Sequence, residues 1–112
     1  SRILTGDDIY GGTSRLLGKI APRLGIEVDH VDMCDLGKVK GALEAAPSGT
    51  TKMVLLETPT NPRLRITDVA GVAEAAHAHG AWCAVDNSVM APIFQRPLAL
   101  GADIVMTSAT KF

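Results

Sequence analysis

The sequence has no pair of cysteines at C-x-x-C spacing; Cys34 and Cys83 stand alone. That argues against a disulfide scaffold and for a reducing, intracellular compartment. Neither sign of charge is in excess, since 11 basic and 12 acidic side chains leave a net charge of −1. A nucleic-acid footprint is therefore not expected. No apolar run approaches the roughly 18 residues that span a bilayer, so no membrane partner is expected either. Gly11-Gly12 lacks the Gly-Lys-Ser/Thr that would complete a P-loop, and no G-x-G-x-x-G follows a strand. His77 and His79 lie two apart on a helical stretch, where side chains point about 200° apart and cannot share an ion. They read as solvated helix-end histidines, and no metal site is expected.

What remains is a chain of 112 residues, 46% hydrophobic and 21% charged, enough for one domain with one core. Arg2 to Thr5 reads as a strand, and Tyr10-Gly11-Gly12-Thr13 opens a helix with Thr13 or Ser14 as its cap. Leu16, Leu17, Ile20 and Leu24 form its expected buried stripe, and Pro22 and Gly25 close it. Ile26 to Val31 alternates as a half-buried strand. A second helix runs from about Asp35 to Ala46, with Leu36, Val39, Ala42 and Leu43 inward. Lys52 to Leu56 is an apolar strand ending at Glu57, followed by the proline-stiffened loop Thr58 to Pro62. Asp68 caps a third helix reaching about His79, with Val69, Val72, Ala73 and Ala76 inward and Gly80 as its stop. Ala81 to Val85 and Asp103 to Met106 are two further strands, separated by a short turn or helix near Pro97 to Leu100. Regular alternation of strand and helix predicts an α/β domain, a mostly parallel sheet flanked by helices. Cys83 falls inside a buried strand and reads as a small core residue.

Polar residues close the last two strands where a core would not choose them. Asp86 and Asn87 end one; Thr107, Ser108, Thr110 and Lys111 end the other. Ligands of open parallel sheets sit outside the carboxyl ends of the strands. An acid at one strand end, with hydroxyls and a lysine at its neighbour, suits an anionic ligand carrying a basic ring nitrogen and an aldehyde. Pyridoxal phosphate meets all three requirements.

Each residue also has a plainer reading. Lys111 fits a surface position just outside the sheet, or an imine-forming lysine that must be partly desolvated to keep its amine neutral. Asp86 fits a turn cap, or a fixed charge that keeps a pyridine nitrogen protonated. Tyr10, the sole tyrosine, fits packing, or stacking on a ligand that the neighbouring glycines let approach, with its phenol able to move a proton. Asn61 fits a turn between prolines, or a hydrogen bond to a cofactor oxygen.

Five stretches then carry a family resemblance: Asp8-Ile-Tyr-Gly-Gly-Thr13, Glu57-Thr-Pro-Thr-Asn-Pro62, Val85-Asp-Asn-Ser88, Gln95 to Ile104, and Ser108-Ala-Thr-Lys-Phe112. In this order they resemble the Cys/Met metabolism (cystathionine) family of pyridoxal-phosphate enzymes. The resemblance implies part of the large cofactor-binding domain of a fold-type-I enzyme over residues 1–112. It implies Lys111 as the Schiff-base lysine, Asp86 as the pyridinium partner and Tyr10 as the stacking ring. Ser108 and Thr110 would bind phosphate, and Asn61 the phenolic oxygen. Asp-Asn-Ser, with Met90 and Pro92, is most similar to the cystathionine β-lyases of plants, while Phe94 to Leu100 is equally similar to the γ-lyases; Ser88 stands where Thr is usual elsewhere in the family.

The activity implied is β-elimination of cystathionine to homocysteine, pyruvate and ammonia, within transsulfuration and methionine biosynthesis. γ-Elimination or γ-replacement on the same scaffold is the alternative, and a non-catalytic α/β module is the alternative of another class. The family implies a homotetramer, in the cytoplasm or in a plastid if the source is a plant. Its upstream phosphate loop, its Tyr-x-Arg from a neighbouring subunit and its downstream substrate-binding arginine have no match here. The chain is therefore expected to be a piece of a longer protein and inactive by itself.

Overall fold

The computed structural model describes residues 1–112. Five strands, β1 (Arg2–Gly6), β2 (Glu27–Val31), β3 (Thr51–Glu57), β4 (Trp82–Asp86) and β5 (Ile104–Met106), form one sheet in the order β2-β1-β3-β4-β5. Every neighbouring pair is parallel. Each strand expected from the sequence is present, with ends moved by a residue or so.

The helices between them are α1 (Gly11–Arg15), α2 (Leu36–Ala45), α3 (Val69–Ala78) and the short α4 (Ala91–Phe94). α2 and α3 start where their caps dictate. Asp35 accepts the Lys38 backbone N–H at 3.1 Å, and Asp68 accepts that of Gly71 at 3.0 Å. Such caps each contribute about 1 kcal/mol. Gly80 then ends α3 in the left-handed region, with φ of 70°, a conformation that Gly adopts without steric cost.

A contiguous core of 15 buried residues lies between the sheet and α2 and α3. Leu4, Val54, Leu56, Cys83 and Val85 supply its sheet side; Val39, Leu43, Val69, Val72 and Ala76 supply its helix side. The inward stripes expected for α2 and α3 are thus present, with Leu36 and Ala42 partly buried at the rim.

α1 differs from expectation. Its helix begins at Gly11 with Tyr10 as the cap residue and no side-chain cap hydrogen bond, so neither Thr13 nor Ser14 caps it. It continues as a π-turn over Leu16–Ile20 and a 3₁₀ turn over Ala21–Leu24. Changing from α to π to 3₁₀ winding rotates successive side chains off one regular stripe. Leu17 and Ala21 are buried, whereas Leu16, Ile20 and Leu24 are exposed. None of these joins the main core. Right-handed crossovers place α1 on the sheet face opposite α2 and α3, where no second helix of this chain flanks it.

The topology positions the site. β2 lies to one side of β1 and β3 to the other. The chain direction across the sheet therefore reverses between β1 and β3, and ligands of such sheets lie beyond the strand ends at that crevice. Glu57 is in register with Asp86, and Asp86 with Met106, so three strand ends reach the same level there.

Candidate functional site

A cleft of about 720 Å³ opens beyond these strand ends. Tyr10 and Asn61 line it from the loops after β1 and β3. Asp86 lines it from the end of β4, and Ser108, Thr110 and Lys111 from the turn after β5. All six residues singled out in the sequence thus meet around one space. Glu57, Gly12, Thr13 and Ser88 complete much of its polar wall.

Asp86 is 8% exposed. Its Oδ1 accepts the Ser88 backbone N–H at 3.0 Å and the Ser88 hydroxyl at 2.6 Å. The turn-cap reading of Asp86 is therefore satisfied by one oxygen alone. No protein donor meets Oδ2, which leaves that atom free for a cationic partner. Ser88 Oγ in turn accepts the Ser108 backbone N–H at 2.9 Å, and the Asn87 N–H donates to the Met106 carbonyl at 2.8 Å. Together these bonds join the loop after β4 to the end of β5.

Asn87 extends that framework from a fully buried position. Its Nδ2 donates to the Gln95 carbonyl at 3.0 Å, while Gln95 Nε2 donates to Asn87 Oδ1 at 2.9 Å and to the Thr58 carbonyl at 3.0 Å. Buried polar groups need such partners, since leaving one unmade costs about 1–3 kcal/mol. The result is a floor of fixed loops under the cleft.

Ser108 Oγ and Thr110 Oγ1 lie 2.9 Å apart. Two hydroxyls at this separation can donate together to oxygens of one anion. Lys111 closes the 3₁₀ turn Ala109–Lys111 and is exposed. The desolvation expected for an imine-forming lysine is therefore not present, because this turn projects past the strand end with no layer of the chain over it. Tyr10 is 55% exposed, and its ring occupies space that a side chain at Gly12 would take. A Cβ at Gly12 would stand 2.6 Å from Tyr10 Cε1.

Glu57 is the residue that sequence reasoning passed over as a strand terminus. It is 7% exposed, and its two oxygens are divided between two loops. Oε2 accepts the Tyr10 backbone N–H and Oε1 that of Asn61, each at 2.9 Å. Burial pushes its carboxyl up from the ordinary value, the two amides oppose that shift, and the neighbouring Asp86 and Asp8 add to it. The signal was available: Glu57 ends an apolar strand as Asp86 does.

Away from the cleft, Arg65 pairs with Asp32 at 2.6 Å and Asp7 at 3.4 Å, tying the β3–α3 loop to the loops after β2 and β1. His77 Nε2 lies 2.8 Å from Asp103 Oδ2, and His79 Nδ1 lies 2.9 Å from the Ala75 carbonyl. Cys83 is buried in β4, and burial, with Asp103 nearby, pushes its thiol up to about 11. It is an inert core residue.

With this geometry in place, comparison with known proteins is decisive. The sequence model of the Cys/Met metabolism PLP-dependent enzymes matches residues 1–112. The chain belongs to that family. A chloroplastic cystathionine β-lyase of Mimosa pudica is 54% identical over 110 residues, covering 98% of this chain and 23% of the relative. A human cystathionine γ-lyase is 48% identical over 112 residues, covering 99% of this chain and 27% of the relative. Among solved structures, a Lactobacillus plantarum cystathionine γ-lyase complexed with L-serine superposes with a TM-score of 0.91 at 44% identity, covering 98% of this chain and 28% of that one. The chain thus spans about a quarter of the length of these relatives.

Pyridoxal phosphate is the cofactor of the family, and the donor set suits it. One cleft holds a primary amine, a pair of hydroxyls for an anion, a carboxylate oxygen without a protein donor, and an aromatic ring.

Proposed function

We propose that this chain is the cofactor-binding part of a carbon–sulfur lyase that cleaves cystathionine by β-elimination to homocysteine, pyruvate and ammonia. The observation that carries this reading is the free Oδ2 of Asp86 in the same cleft as Lys111 and the Ser108–Thr110 hydroxyl pair. The choice of β-elimination is supported by the 54% identity to a β-lyase against 48% to a γ-lyase. γ-Elimination on the same scaffold is the second reading, supported by the TM-score of 0.91 to a γ-lyase.

Bound pyridoxal phosphate would supply an aldehyde that captures amines and a ring that stores an electron pair. Lys111 would hold it covalently through Nζ, and Ser108 and Thr110 would donate to its phosphate. Asp86 Oδ2 would keep the ring nitrogen protonated, since a nearby negative charge favours the charged form. Asn61 would hydrogen-bond the phenolic oxygen, and Tyr10 would stack against the ring. Lys111 Nζ would also be the base in this cleft able to take the substrate Cα proton. The Tyr10 phenol is a second group able to hold a proton at the cleft.

The partner readings extend the same proposal. The substrate would be a sulfur amino acid, and exposed Leu16, Ile20 and Leu24 offer an apolar face for self-association into a homotetramer. No helix is long and apolar enough to cross a membrane. A plastid location is supported by the chloroplastic designation of the Mimosa relative.

The test is product identification. The complete protein, given cystathionine, should release pyruvate and homocysteine. Oxobutyrate with cysteine would replace the β reading by the γ reading.

A further inference from the structure

Glu57 is a nearly buried carboxylate facing the cleft, yet it has no role in the chemistry above. Its geometry is specific. The carboxylate is spent on two backbone amides, and these belong to the two residues that flank the crevice between β1 and β3, Tyr10 and Asn61. The same two loops are tied a second time by Thr60 Oγ1 donating to Asp8 Oδ2 at 2.6 Å, with the Arg65 backbone N–H donating to Thr60 Oγ1 at 3.0 Å. Loop proximity therefore does not depend on Glu57 alone. What Glu57 adds is the relative placement of two particular backbones.

We propose that Glu57 is a positioning residue for the cofactor: one side chain fixes Tyr10 and Asn61 with respect to each other, so that the stacking ring and the amide address one ligand. This inference rests on the reading above that puts Tyr10 and Asn61 on the cofactor. A carboxylate is required because it presents two acceptors at once. Glutamine has the same size, but one of its ends is itself a donor and would oppose the second N–H. A group already held by its neighbours costs little ordering when the ligand arrives, which is how preorganisation raises affinity.

The experiment is a double-mutant cycle in the complete protein with Glu57→Gln and Tyr10→Ala, read by the dissociation constant of pyridoxal phosphate and its induced circular dichroism. Tyr10→Ala should weaken cofactor binding about tenfold through lost stacking. Glu57→Gln should weaken it by about tenfold as well, with a changed dichroic band, because a hydrogen bond to a charged group is lost. The double variant should lose less than the product of the two, the mark of residues acting through one another. Multiplying effects, or a Glu57→Gln variant with wild-type affinity and spectrum, would overturn the inference while leaving Tyr10 on the cofactor. An unaltered Tyr10→Ala variant would instead overturn the reading beneath it, and the inference with it. A purely structural Glu57 would lower the unfolding midpoint of the cofactor-free protein without altering the spectrum. Should Glu57→Gln fail to fold, amide exchange in the wild type decides: Tyr10 and Asn61 N–H groups should be protected, and exchange at unprotected rates would contradict the proposal.

Discussion

Ser88 Oγ lies 2.6 Å from Asp86 Oδ1, and the same hydroxyl oxygen accepts the Ser108 N–H at 2.9 Å. One small side chain thereby joins the acid at the end of β4 to the hydroxyl-bearing turn after β5. Ser88→Ala should cost about 2 kcal/mol, because it removes a hydrogen bond to a charged group and leaves an amide unpaired. Ser88→Thr keeps the hydroxyl and should stay within about 0.5 kcal/mol of wild type. Urea unfolding of both variants checks this; equal stability of the Ala variant and wild type would remove Ser88 from the account.

Gly12 offers a separation of fold from function. Its helical position favours alanine by roughly 0.5–1 kcal/mol, yet a Cβ there would stand 2.6 Å from Tyr10 Cε1. Gly12→Ala should leave folding stability unchanged or higher while displacing the tyrosine ring and weakening pyridoxal phosphate binding severalfold. Titration of the cofactor beside thermal unfolding reads both; unaltered affinity would show that the ring does not hold the ligand.

Two carboxylates should give opposite pH slopes. The Cys83 backbone N–H, followed by His77, holds Asp103 below its ordinary 3.8. The folded state binds that proton less tightly, so the stability Asp103 contributes is present above about pH 3.8 and lost as pH falls through the folded value. Burial raises Glu57 above its ordinary 4.5 against the pull of the Tyr10 and Asn61 amides. The folded state binds this proton more tightly, so its contribution is full below 4.5 and lost as pH rises through the folded value. Asp103→Asn should flatten the acid limb of a stability–pH curve, and Glu57→Gln should flatten the decline above it. Unchanged slopes in unfolding measured across that range would refute both assignments.

The legible parts of the sequence were those set by short-range physics. Asp35 and Asp68 cap their helices because their side chains reach an N–H three residues on, a relation written within four positions. The stripe Val69, Val72, Ala73, Ala76 was readable because α3 keeps one winding from end to end. The stripe of α1 was not, because the winding changes at Leu16 and again at Ala21. The strand order was also beyond local pattern, since it depends on pairings such as Leu4 with Val54, 50 positions away. In the cleft, the polar residues ending β4 and β5 stand out against apolar runs, and the structure places them around one space. Glu57 has the same placement, but its partners are backbone amides of Tyr10 and Asn61, which no side-chain pattern announces.

The proposed function rests on Lys111 holding pyridoxal phosphate in this cleft. Borohydride reduction of the complete, cofactor-loaded protein, followed by peptide mass spectrometry, tests it directly. One pyridoxyl adduct is expected, on Lys111, and none in a Lys111→Ala variant, which should also lack the visible absorbance of the bound cofactor. An adduct on Lys19, Lys38, Lys40 or Lys52 instead, or no adduct at all, would contradict it.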